Sequence, residues 1–138
     1  VIDQEAAMPT DAPTIFPGLR YADAPAALEW LARAFGFEEV MAVPGPDGTI
    51  VHAEMRLGRG MIMLGSDKDD RFGSRAGMGW IYVALDGDID AHHDRAVAAG
   101  AEVIMELTDT DYGSRDYSVK DLEGNMWSFG TYRPALPD

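Results

Sequence analysis

Apolar residues along this chain recur at two spacings, and the switch between them marks the elements. Over "DAPAALEWLARAFG" (23–36), Leu28, Leu31 and Phe35 fall at helical intervals and make one buried stripe. Asp23 is a candidate N-cap, Pro25 stands in the first turn and Gly36 closes the run, so a helix is predicted here. In "NMWSFGTY" (125–132) the period is two. Trp127, Phe129 and Thr131 share one face, while Met126, Ser128 and Gly130 share the other. The acidic residues and Gly124 just before it read as a tight turn.

The same reading gives "TIFPGLRY" (14–21) as a strand that Pro17 confines to an edge or a bulge, because proline donates nothing to a ladder. Strands follow at 37–43, 49–57 and 61–65, joined by the turns "PGPDG" and Gly58-Arg59-Gly60. A polar, glycine-bearing loop (66–79) is either a lid or a plain linker. Then the order repeats, with a strand at 80–85, a helix at 88–100 and strands at 101–107, 114–120 and 125–132. Gly36 and Gly100 lie 64 residues apart, and "FGFEEV" aligns with "AGAEVI" across that gap.

Two βαβββ copies predict an α+β domain: an eight-stranded cupped mixed sheet with helices on the convex face and a concave face open to a ligand. The expected domain spans 14–138, its repeats about 14–66 and 78–133, with 1–13 as a flexible leader in which Met8 is a candidate start. Alternation points Phe16, Met61, Met63, Trp80, Tyr82, Met126 and Ser128 into the cup, and Ile62, Leu64, Ile81, Val83, Trp127 and Phe129 at the helices. A cup of aromatics and methionines suits a flat, partly apolar ligand. The alternative is that these side chains pack against one another or against a partner subunit.

Composition narrows the function classes. A chain of 138 residues, 46% hydrophobic and 25% charged, is an ordinary single globular domain. No apolar run reaches membrane-span length and no signal-peptide pattern opens the chain, so the expected setting is soluble and cytoplasmic. Without cysteine there are no disulfides, thiolate metal sites or Cys nucleophile. Acids outnumber bases 24 to 11, and the net charge of −13 repels nucleic acid and anionic lipid while attracting cations.

Candidate chemistry is sparse. His52 and Glu54 in "VHAEM" share a strand face and would begin a metal site only with ligands from elsewhere. The alternatives are half-exposed strand residues, with His52 hydrogen-bonding a ligand. His93 falls on or beside the buried stripe of the second helix and reads as structural, like its neighbour His92. No serine has a nucleophile-elbow context and neither glycine turn is a phosphate loop, so no catalytic residue is assigned. In "DTDYGSRDY" (109–117), Tyr112 is a candidate to stack on a ligand, Asp109 and Asp111 to attract a cation, and Arg115 to pair with the protein's own acids.

This organisation, with "LRYADAPAALEWLARAFGFEEV" in the first half and "YGSRDYSVKDLEGNMWSFGTY" at the end, resembles the vicinal oxygen chelate superfamily across residues 14–133. That group contains glyoxalase I, extradiol dioxygenases, and fosfomycin- and bleomycin-resistance proteins, and the likeness is greatest to the bleomycin-resistance-like members. The resemblance implies a metal site on the floor of the sheet and places its four ligand positions at Phe16, Met63, Trp80 and Ser128. Phe, Met and Trp do not bind a hard divalent cation, and a lone Ser does not hold one. The expectation is therefore a homodimer without metal or other cofactor, sequestering a small cationic aromatic, antibiotic-like ligand of the bleomycin type, with no nucleic-acid or membrane partner. The alternative is a metal-dependent lyase, isomerase or dioxygenase with a non-standard ligand set including His52 and Glu54. A purely structural or regulatory interaction domain is the third reading.

Overall fold

Asp23 and Gly36 bound the first helix as their chemistry requires. In the computed structural model, which describes residues 13, 15–67, 76–134 and 137, α1 runs Ala24–Phe35. The Asp23 carboxylate accepts from the Ala26 N–H, and Gly36 takes a left-handed φ of +87° that favours glycine. Around α1 the first module places β1 (Gly18–Tyr21), β2 (Glu38–Pro44), β3 (Ile50–Leu57) and β4 (Gly60–Ser66). The second module repeats the series with β5 (Trp80–Ala84), α2 (Ile89–Ala98), β6 (Glu102–Asp109), β7 (Arg115–Lys120) and β8 (Met126–Gly130). The α+β architecture of two βαβββ modules is the one the repeat predicts. Residues 1–12 of the leader and 68–75 of the 66–79 loop lie outside the described residues.

The ladders close as two mixed sheets of four, in the orders β1-β4-β3-β2 and β5-β8-β7-β6. In each, the first strand runs parallel to the last, as in the registers Gly18↔Met63 and Trp80↔Met126. The sheets adjoin where Gly79 packs against Leu19. Beyond that point the chain preceding β1 carries Pro13 and Pro17, which lack the N–H groups that pairing with β5 would need.

Alternation sorts the faces as expected. Ile62, Leu64, Trp127 and Phe129 are buried, and Ile81 and Val83 are half-buried against the same core. Phe35 of α1 reaches across the modules onto Trp127 and Phe129, with ring centroids 5.2 and 4.9 Å away. Aromatic contacts at such separations add to simple area burial.

Polar interlocks join the modules. Trp30 Nε1 donates to the Ala99 carbonyl at the end of α2 (2.8 Å). The Arg95 guanidinium in return donates to the Arg33 and Ala32 carbonyls at the end of α1 (2.9 and 3.1 Å). Each helix thus has its C-terminal carbonyls satisfied by the other. At the opposite end of α1, Glu123 accepts from the N–H groups of Ala22 and Asp23 (2.6 and 2.8 Å). The buried Asp121 accepts from the hydroxyl of Tyr21 (2.6 Å) and from Trp127 Nε1 (3.0 Å).

Both helix histidines are engaged structurally. His92 Nε2 lies 2.9 Å from the Phe35 carbonyl, which only accepts, so Nε2 carries the proton and Nδ1 accepts from the Tyr117 hydroxyl (2.6 Å). Burial holds the His92 pKa below its ordinary value, consistent with that neutral form. His93 bridges Asp94 and Glu106, each at 3.0 Å. His93 lies beside the buried stripe, as the sequence pattern sets it, and meets Tyr117 edge to face, while His92 stacks on Phe35 and packs at a tilt against Phe129.

Candidate functional site

The face of each sheet turned away from the helices is where the sequence places a ligand. On the first sheet the register sets Met63 beside Glu54 and Gly18, and Met61 beside Arg56. On the second it sets Trp80 beside Met126, and Tyr82 beside Ser128 and Ser118. Phe16, Met61, Met63, Tyr82, Met126 and Ser128 are all half-buried, whereas Trp80 is 69% exposed.

The donor set on this face does not fit a divalent metal. Three of the four positions that the resemblance assigns carry Phe16, Met63 and Trp80. At the fourth, the Ser128 hydroxyl is hydrogen-bonded to that of Ser118 at 2.8 Å. His52 Nε2 pairs with Glu54 Oε2 at 2.9 Å on the first sheet. Among the described residues, however, no three His, Asp or Glu side chains come together as a metal would require.

A cavity of about 470 Å³ opens beside this face, within the size range of small-molecule sites. Consecutive residues line it, Gly60 to Ile62 on one side and Ile81 to Leu85 on another, so it runs along strand edges and not over a single face. Pro13, Ile15 and Pro17 form a third side. Leu85 N–H donates to Gly130 and the Gly79 carbonyl accepts from Met126, so the odd residues of β5 face β8. Tyr82 and Ala84 therefore direct their peptide groups to the opposite edge, along the cavity. The walls are largely apolar, with Arg59 and the Asp86–Arg133 ion pair (2.7 Å) adding charge.

Of the residues expected to bind ligand, Met61 and Tyr82 line this cavity. Phe16, Met63, Trp80, Met126, Ser128, His52 and Tyr112 do not, although the register keeps Met63, Trp80, Met126 and Ser128 on the adjoining face. Arg115 pairs with Asp90 (2.8 Å) and Asp109 (3.1 Å), so Asp109 is committed within the protein.

The structure adds a polar group that the sequence pattern does not single out. Asp116, 7% exposed, lies opposite Gly130 on the Tyr82 side of the second sheet. Its carboxylate accepts from the hydroxyls of Ser114 and Tyr112, the latter at 2.8 Å. Ser114 Oγ in turn accepts from Tyr132 N–H (2.9 Å), and the Tyr82 hydroxyl donates to the Tyr132 carbonyl. The Tyr112 hydroxyl is held protonated, chiefly by its bond to Asp116, and that of Tyr82 by burial and then by the charge of Asp116. Gly130 leaves room for this group, since a Cβ there would collide with Asp116 and lie 2.7 Å from the Tyr82 hydroxyl. The alternation Asp116, Ser118, Lys120 opposite buried Tyr117 and Val119 was the available signal.

Comparison with known proteins agrees with this architecture. The family model of the Glyoxalase/Bleomycin resistance protein/Dioxygenase superfamily matches residues 14–129. An uncharacterized protein of Mycobacterium bovis is 34% identical over 125 residues, covering 86% of this chain and 82% of its own. The crystal structure of TioX from Micromonospora sp. ML1 superposes with a TM-score of 0.73 at 35% identity, covering 86% of this chain and 98% of that one. A lactoylglutathione lyase from Agrobacterium tumefaciens shares the fold, with a TM-score of 0.62 at 22% identity over 86% of this chain and 93% of its own.

Proposed function

Because this chain belongs to the glyoxalase/bleomycin resistance protein/dioxygenase superfamily, we propose that it is a binding member of that group, holding a flat, partly apolar and cationic small molecule by sequestration. The observation that carries this reading is the apolar cavity along the free edge of β5, beside an aromatic and methionine face without a three-donor metal set among the described residues. An antibiotic-like heteroaromatic cation has matching chemistry, with a planar apolar body for the walls and a charge favoured by a protein of net charge −13. The family description, which names bleomycin resistance proteins, supports a binding or resistance type of role. A homodimer fits the exposed apolar residues on the outer strands, among them Val40, Val43 and Ile104. Among the described residues no helix is long and apolar enough to cross a membrane.

The test is titration with bleomycin-type glycopeptides and simpler heteroaromatic cations, followed by calorimetry and tryptophan fluorescence. Saturable binding by protein that retains no metal after dialysis against Zn, Ni, Mn and Fe(II) supports the reading. Stoichiometric, tightly held metal with no ligand binding overturns it in favour of a metal-dependent enzyme built around His52 and Glu54.

A further inference from the structure

Asp116 is a charge in an unusual position. Its carboxylate is nearly sealed from water, yet among the described residues no Lys, Arg or His lies within ion-pair distance. The two nearby guanidiniums are engaged elsewhere, Arg115 by Asp90 and Asp109, Arg133 by Asp86. Burying an ionised carboxylate is unfavourable unless hydrogen bonds and an opposite charge compensate it, and here the compensation comes from two hydroxyls. A carboxylate offers about four lone-pair sites.

The surroundings suit a cation. Tyr112 and Tyr132, 61% and 50% exposed, meet edge to face with centroids 6.0 Å apart over this group. Tyr82 joins Asp116 to the cavity, because it lines the cavity and its hydroxyl reaches the space over Gly130 beside the carboxylate. Aromatic faces attract ammonium groups, most strongly where water is excluded. Among the described residues, the hydroxyl of Tyr112 is the one partner of Asp116 on an exposed side chain, and so the one that can swing away.

We propose that Asp116 anchors a protonated amine of the bound ligand, with Tyr112 as a displaceable cap over the carboxylate and the rings of Tyr82 and Tyr132 beside it. This rests on the binding reading above and adds to it the chemical class that the polar end of the ligand must have. The amine replaces the Tyr112 hydroxyl as hydrogen-bond donor and brings the missing positive charge, while the planar part of the ligand lies along β5.

The experiment uses two probes of nearly equal shape, 4-(aminomethyl)quinoline, whose side-chain amine is cationic at neutral pH, and neutral 4-ethylquinoline. Their affinities are measured by calorimetry in about 0.15 M salt, where the long-range field of the protein is largely screened. The expected result is a preference for the amine of about tenfold. Asp116→Asn, close in shape, abolishes that preference while keeping the neutral probe, and Asp111→Asn, which removes an exposed carboxylate of the same loop, leaves it unchanged. Tyr112→Phe keeps the ring but removes the competing hydroxyl, so it tightens binding of the amine severalfold without changing that of the neutral probe.

Equal binding of the two probes to the wild-type protein overturns the Asp116 anchor but not the binding function. So does a preference that survives Asp116→Asn, or one that falls as far with Asp111→Asn. Failure of both probes to bind overturns the two proposals together. Should Asp116→Asn not fold, Tyr112→Phe decides, and unchanged or weaker amine binding overturns the anchor.

Discussion

Removing the Asp121 carboxylate should reverse the sign of a second substitution 100 positions away in sequence. Asp121 Oδ2 accepts from the Tyr21 hydroxyl at 2.6 Å and from Trp127 Nε1 at 3.0 Å, while Oδ1 accepts from the N–H groups of Glu123 and Asn125 at 2.9 and 3.1 Å. Tyr21 and Trp127 are fully buried, and Asn125 is 1% exposed. A hydrogen bond to a charged group contributes roughly 1.5–3 kcal/mol, so Tyr21→Phe in the wild-type background should destabilise by about that much. Asp121→Ala leaves the hydroxyl and the indole N–H buried without an acceptor, at about 1–3 kcal/mol each. That is a large part of the roughly 5–15 kcal/mol that stabilises a domain. In the Asp121→Ala background the Tyr21 hydroxyl has become a liability, and Tyr21→Phe should then be neutral or stabilising. Burial, and then the Asp121 charge, push the Tyr21 pKa up, so the hydroxyl remains a donor across the usable pH range. Urea unfolding of the four proteins of this double-mutant cycle measures the coupling directly. An equal loss from Tyr21→Phe in both backgrounds would refute the assignment of Asp121 as the shared acceptor joining the two modules.

Other expected outcomes concern pH, the ligand and assembly. The His92 pKa is lowered in the folded protein from its ordinary 6.5, chiefly by burial. The neutral imidazole is therefore the folded form, and its contribution is complete above the unfolded value and lost as pH falls below it, by at most about 1.4 kcal/mol per pH unit. Urea midpoints between pH 7 and pH 5 should show this decline, and His92→Gln should flatten it. Trp80→Ala should weaken binding of a flat heteroaromatic cation severalfold while leaving the unfolding midpoint nearly unchanged, since the side chain is 69% exposed; unchanged affinity in the folded variant counts against a ligand role for this ring. Sedimentation at micromolar concentration should give the mass of a dimer, and a monomer mass rules out the proposed pairing through the outer strands.

The two spacings of apolar residues made most of the fold legible, because each module is built from local rules. Asp23, Pro25 and Gly36 define α1 through backbone chemistry that needs no knowledge of the rest of the chain. Trp127 and Phe129 reveal the face of β8 because a strand with one buried side must alternate. The site was less legible. The cavity is lined by consecutive residues of β5 and by Pro13, Ile15 and Pro17 ahead of β1, an edge arrangement that alternation does not encode. Asp116 gathers Tyr112, Tyr82 and Tyr132 from three separate stretches, and only the closed sheet brings them together. The sequence marks Asp121 as part of a turn, but its side chain also reaches Tyr21 of the other module.

The exchanged bonds at the helix ends bear on how such a chain tolerates change. Trp30 bonds the end of α2 and Arg95 the end of α1, so each half adds to the local cap of the other's helix. Severing the chain within residues 68–75 and supplying the halves as separate polypeptides should therefore yield fragments that fold only on meeting. The same dependence should make substitutions behind the sheets costlier than substitutions on their open faces. Changes on those faces should alter what is bound while the interlocked body behind them keeps its fold.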